Sequence, residues 1–213
     1  MNLEIKKSIK PINYLDAINL LEARLSDLRD YKASEIIWTL EHNKVFTAGS
    51  STPKEFNKNK INNIEVLKVN RGGKITYHGP GQMIIYPIIN IKFRKLNLIE
   101  YINQIEEICI DVFQDNQIEL FRKKEKNRGL WVKSEIGLKK IIFIGLRYSK
   151  GVIHHGLSIN FNNDLENFRK IDPCGLHRRE ISSLKELKVS YNKNKIIKEL
   201  KESFTQKFDL NSI

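Results

Sequence analysis

The sequence predicts an α+β fold, a single domain of mixed sheets flanked by helices. Apolar residues recur at helical spacing in three separated segments. Short runs rich in β-branched and aromatic residues lie between them, bounded by glycine, asparagine and serine. These runs cluster and do not alternate one-for-one with helices, so a regular βαβ array is not expected. The 213 residues suffice for one large domain over 1–213. Its core is expected over about 31–210, with an N-terminal strand and helix packed on it.

Segment 14–29 carries Tyr14, Ile18, Leu21, Leu25 and Leu28, one face of an amphipathic helix. EIIWTLEH (35–42) and VFTAG (45–49) read as two strands joined by a short Asn-Lys turn. The polar stretch 50–63 reads as a surface loop. IEVLKVN (64–70) and KITYHG (74–79) follow as strands, and MIIYPIINI (83–91) is apolar enough to be buried on both faces. A second helix spans 98–113, with Leu98, Ile102, Ile105, Cys109, Val112 and Phe113 on one side. Strands resume at 118–122, 129–132, 140–149 and 152–161. A third helix at 194–208 carries Ile196, Ile197, Leu200, Phe204 and Phe208.

Composition narrows the class. With 40% apolar and 29% charged residues the chain is globular in balance. It holds no apolar run long enough to span a membrane and no signal-like N-terminus, so a cytoplasmic protein is expected. Two cysteines then read as free thiols. The formal charge of +12 admits a nucleic-acid partner, an acidic protein partner, or lysines scattered on solvated faces. A nucleic-acid module would interleave aromatics with basic residues on one exposed face. Here the aromatics fall mainly in strand and helix patterns.

Three stretches carry chemistry. RGGKITYHGPGQMIIYPI (71–88) packs four glycines and a proline into residues 71–82. Such glycines let backbone N–H groups approach a ligand. Arg71 can pair with an anion, and His78 can relay a proton. No GxxxxGK[ST] occurs, so this is no phosphate-binding P-loop. In GLKKIIFIGLRYSKGVIHHGLSINF (137–161), Lys139 and Lys140 point to opposite strand faces, so one is directed inward. Burial against apolar walls favours a neutral amine, which can take a proton from a thiol. His154 and His155, read on a regular strand, face apart, so a metal site is rejected. The last stretch is DPCGL (172–176). A lone cysteine is ordinarily a small buried hydrophobe. Pro173 and Gly175 argue instead for a turn that presents the thiol. Its base is open among Lys140, His78 and His155.

Taken together, EHNKVFTAGSST (41–52), RGGKITYHGPGQMIIYPI (71–88), KIIFIGLRYSKGVIHHGLSINF (140–161) and IDPCGL (171–176) resemble the octanoyltransferases of lipoate biosynthesis over about residues 35–180. The resemblance implies the catalytic fold shared with lipoate and biotin protein ligases. It implies a cytoplasmic acyltransferase moving an octanoyl group from octanoyl acyl carrier protein to a lipoyl-domain lysine, the first step of endogenous protein lipoylation. The acceptors would be the lipoyl domains of 2-oxoacid dehydrogenase E2 subunits and the glycine cleavage H protein. No cofactor, metal, nucleic acid or membrane is implied.

Residue by residue, the resemblance makes Cys174 the acyl-thioester nucleophile and Lys140 its acid/base partner in a ping-pong cycle. It makes Arg71, Gly72, Gly73, Lys74, Ile75, Thr76, Tyr77 and His78 a substrate-binding loop. Phe143, Ile144 and Gly145 form a second lining segment, and Gly156, Leu157 and Ser158 a third. Backbone N–H groups near 77–79 are the expected oxyanion donors. Strands 83–91 and 141–144 are expected to line an acyl tunnel, and a basic rim to steer acidic partners. Phe46 stands where the family usually has tyrosine, and the segment after PCG is unusually basic. A lipoate–protein ligase shares the fold and the lysine but needs no thiol at Cys174.

Overall fold

The computed structural model describes residues 3–123, 128–173 and 176–209. Cys174 and Gly175 lie outside the described residues. In chain order the elements are β1 (Leu3–Lys7), α1 (Tyr14–Arg29), β2 (Glu35–Leu40), β3 (Val45–Ala48), β4 (Lys60–Ile61), β5 (Ile64–Lys68), β6 (Ile75–His78) and β7 (Gln82–Asn90). There follow α2 (Leu98–Asp115), β8 (Phe121–Arg122), β9 (Gly129–Ser134), β10 (Gly137–Ser149), β11 (Val152–Asn160) and α3 (Lys193–Phe208).

The strands form two sheets. The larger runs β1-β2-β7-β11-β10-β9-β8, and the smaller β4-β5-β3-β6. The large sheet is buried on both faces at its centre, and strand alternation sorts its side chains. On β7, Met83, Ile85 and Ile89 face a core built with α2 and α3. Ile84, Tyr86 and Ile88 face the opposite side, with Ala17, Leu21, Leu25 and Leu28 of α1. The small sheet packs on that second side through Phe46, Ile75 and Tyr77 against Trp131, Phe143 and Phe168. The helices begin where polar caps satisfy their free N–H groups. Asn13 accepts from Leu15 N–H (2.9 Å). Asn97 and Glu100 form a reciprocal capping box on α2.

The two strands read over 35–42 and 45–49 are present as β2 and β3. β2 enters the large sheet beside β7, and β3 enters the small one between β5 and β6. The turn therefore carries the chain from one sheet to the other, which local composition cannot encode. One local expectation is corrected: His154 and His155 do not face apart. His155 sits at φ 59°, outside the extended region, and the two rings stack at 5.0 Å and 28°.

Candidate active site

Between the centre of the large sheet and the 71–78 segment lies a narrow slot. β7 contributes Ile84 and Tyr86, β10 contributes Phe143, Ile144 and Gly145, and β11 contributes His155, Gly156, Leu157 and Ser158. Arg71, Gly72, Thr76 and His78 close the opposite wall, and Tyr14 at the start of α1 closes one end. The cavity is about 40 Å³. One water needs about 10–15 Å³ on that scale, so the slot is thin. Three of its linings are glycines. At Gly156 a Cβ would sit 1.8 Å from the Ile85 carbonyl oxygen, so no side chain fits there without separating β11 from β7.

A continuous hydrogen-bond network stiffens the polar wall. Arg71 donates through Nε to Thr47 Oγ1 (3.1 Å), and its guanidinium also reaches Thr47 O (2.6 Å) and Gly72 O (2.9 Å). Thr47 is left to donate to His78 Nε2 (3.3 Å), while His78 Nδ1–H donates to Gln82 Oε1 (2.8 Å). Gln82 donates in turn to Asn160 Oδ1 (2.9 Å), and Asn160 donates to Ser182 O (2.9 Å). Every link fits a neutral imidazole at His78. Burial, then His42 and Arg71, hold His78 well below the ordinary histidine range. Burial likewise lowers His42 to about 4 and His155 to about 3. Neutral His42 donates from Nδ1 to Ile12 O (3.1 Å) and accepts at Nε2 from the Tyr86 hydroxyl (2.7 Å). At neutral pH the slot is thus walled by aliphatic, aromatic and uncharged imidazole groups, with Arg71 fixed at its side.

Lys140 is 2% exposed. Its Nζ donates to Arg128 O (2.6 Å) and lies 5.1 Å from the Phe143 ring centre and 5.5 Å from that of Trp131. A bulge places it there. Lys140 pairs with Trp131 and Ile142 with Leu130, so Ile141 is an extra residue in β10. Ile141 and Ile142 face the helix-covered core, while Lys140 keeps the face of Phe143. The stem of Lys140 crosses β9 at Gly129, where φ is 117° and a Cβ would meet Lys140 Cε at 2.7 Å. The chain after residue 176 returns to this strand. Ile181 bridges to Lys140, and Ser182 N–H donates to Lys140 O (3.1 Å).

Of the residues singled out in the sequence, Arg71, Gly72, Thr76, His78, Phe143, Ile144, Gly145, Gly156, Leu157 and Ser158 line one slot. Ile75 and Tyr77 alternate to the other face of β6, in the small-sheet core. Lys74 is exposed, and Gly73 accepts from Ser51 N–H (3.1 Å). Ile84 and Tyr86 of the strand expected to line a tunnel, and His155 from the histidine pair, line the same slot, and Tyr14 joins them without having been singled out. Among the described residues, no cluster of three or more His, Cys, Asp or Glu side chains could hold a metal ion.

The family described as the lipoyl protein ligase A/B catalytic domain matches residues 13–208. An octanoyltransferase of Rickettsia bellii (strain OSU 85-389) is 38% identical over 205 residues, covering 93% of this chain and 95% of that protein. The chain belongs to the octanoyltransferase family. An octanoyltransferase of Wolbachia sp. subsp. Brugia malayi (strain TRS) is 35% identical over 198 residues, with 92% of this chain and 95% of that protein covered. Membership makes the chain an acyltransferase. In three dimensions it is similar to a lipoate-protein ligase A crystallised with ATP, at a TM-score of 0.73 and 15% identity, covering 97% of this chain and 85% of that one. The fold is the one that lipoate and biotin protein ligases share. No helix among the described residues is long and apolar enough to cross a membrane.

Proposed function

We propose that this octanoyltransferase-family member is a cytoplasmic enzyme that takes the octanoyl group from octanoyl acyl carrier protein onto Cys174 and passes it to lipoyl-domain lysines. The acceptors are the lipoyl domains of 2-oxoacid dehydrogenase E2 subunits and the glycine cleavage H protein. The observation that carries the reading is the buried Lys140 amine, on a strand bridged by Ile181 of the segment that follows Cys174. The glycine-lined slot next to Phe143 suits a linear alkyl chain, which gains about 0.8 kcal/mol per buried CH₂.

In the first half-reaction the Cys174 thiol gives its proton to Lys140. The thiolate attacks the donor's thioester carbonyl and the tetrahedral centre collapses. The pantetheine sulfur leaves and takes the proton back from Lys140. In the second, the acceptor lysine attacks the acyl-Cys174 carbonyl and loses a proton to Lys140, which passes it to the departing sulfur, so that Cys174 leaves as the thiol. Thioester to thioester is nearly isoergic and thioester to amide is downhill, so no nucleotide is needed. The test is intact-mass analysis after incubation with octanoyl carrier protein and no ATP. The chain should gain one octanoyl group, mapping to the peptide that holds Cys174. An adduct on Cys109, or an adduct formed only with ATP, would overturn the proposal.

A basic groove beside this region supports an acidic donor. Lys133, Lys139, Arg169, Arg178, Arg179 and Lys188 line a cavity of about 820 Å³ alongside Glu135 and Glu186. Lys139 anchors its wall by donating to Arg179 O (2.6 Å). Raising salt from low to several hundred millimolar should lower kcat/KM for octanoyl carrier protein by about ten-fold or more. The value for the small substrate octanoyl-pantetheine should stay nearly constant. Equal salt dependence for both would remove the groove from the docking route.

A further inference from the structure

Glu106 lies on α2, away from the slot, and is 2% exposed. A carboxylate there is costly unless its oxygens are matched. Its Oε1 accepts from Gly129 N–H (3.1 Å), and its Oε2 meets Arg122 Nε (3.2 Å) and Arg128 (3.6 Å). The Gly129 N–H and the Arg128 carbonyl belong to one planar trans peptide unit, so they point in opposite directions. Glu106 grips one end of that unit, and the other end receives the Lys140 amine at 2.6 Å. The chain of contacts runs carboxylate, peptide, amine, and each hydrogen bond polarises the next.

We propose that Glu106 is a positioning residue for Lys140, acting through the Arg128–Gly129 peptide unit. This rests on the reading of Lys140 as the acid–base partner of Cys174. The grip fixes where the amine points, and the negative charge behind the peptide favours the protonated amine. Other charged groups around the Trp131 wall are Lys123, paired with Glu180 from the turn packed on β10, and Arg122, paired with Glu107 as well as Glu106. Cys109 on α2 feels the same carboxylate, its thiol pushed up to about 12 by burial and then by Glu106.

The test measures single-turnover acylation by octanoyl-pantetheine against pH in Glu106→Gln, Glu106→Leu and Lys140→Ala. Gln keeps an acceptor for Gly129 N–H but loses the charge, and Leu loses both. Glu106→Leu should acylate about 10–100-fold more slowly with an unchanged KM. Glu106→Gln should stay within about three-fold of wild type at its optimum, with the ascending limb of the pH profile moved to lower pH. If Glu106→Leu does not fold, the limb in Glu106→Gln decides alone. A limb at the wild-type pH in Glu106→Gln overturns the proposal, as does a folded Glu106→Leu with wild-type acylation. A Lys140→Ala variant at full rate overturns the underlying reading instead. A slow Lys140→Ala with unaltered Glu106 variants leaves that reading standing and removes Glu106.

Discussion

Cys174→Ala is expected to end octanoyl transfer altogether, with no octanoyl adduct on the protein and no amide on the acceptor. An alanine has no group to form the thioester, and the chain offers one other thiol, Cys109. That thiol cannot stand in. It is 1% exposed in the core between α2 and the large sheet, and burial followed by the Glu106 charge pushes it up to about 12. At neutral pH almost none of it is the nucleophilic thiolate. Cys109→Ala should therefore keep the adduct, at a packing cost of about 1 kcal/mol for the lost sulfur. Steady-state transfer assays beside intact mass check both variants. Residual transfer by Cys174→Ala would mean that the acyl group moves directly from donor to acceptor, without a thioester on the enzyme.

Lys140→Ala is expected to slow transfer by about 10²–10⁴-fold, the range that a positioned acid–base group supplies. Lys140→Arg should be comparably slow, because a guanidinium does not give up its proton. The alanine variant also loses the 2.6 Å contact to the Arg128 carbonyl, which costs about 0.5–1.5 kcal/mol of stability. The kinetic loss must therefore be read below the variant's unfolding transition. Single-turnover acylation by octanoyl-pantetheine is the measurement. A Lys140→Ala enzyme that still acylates at the wild-type rate would remove the lysine from the chemistry.

The helices were legible because each carries its own apolar stripe. Tyr14, Leu21, Leu25 and Leu28 of α1 are all buried, as the spacing predicts. The same holds for Ile105, Cys109, Val112 and Phe113 of α2. The division into two sheets was not legible, since whether β3 pairs with β2 or with β5 and β6 rests on contacts far apart in sequence. The two-residue β4 carries too few residues for a pattern, and the strand expected over 118–122 is reduced to Phe121–Arg122. At the slot, alternation along Ile75–His78 was available to separate Thr76 and His78 from Ile75 and Tyr77. Tyr14 gave no such signal. It reads as one more apolar position of its helix, and only the fold brings it to the slot.

The extra residue in β10 gives that strand two allegiances. Lys140 before the bulge and Phe143 after it face one interior, Ile141 and Ile142 between them face the other, and the half-step turns the Lys140 amine toward Trp131 and Phe143. A perfectly regular ladder here would pair more backbone groups, yet it would rotate either the lysine or the phenylalanine to the wrong side. Regular pairing and the placement of this amine are thus opposed within a few residues. An otherwise faultless scaffold of this shape, drawn with ideal strands, would fold with the amine and the Phe143 ring on opposite faces.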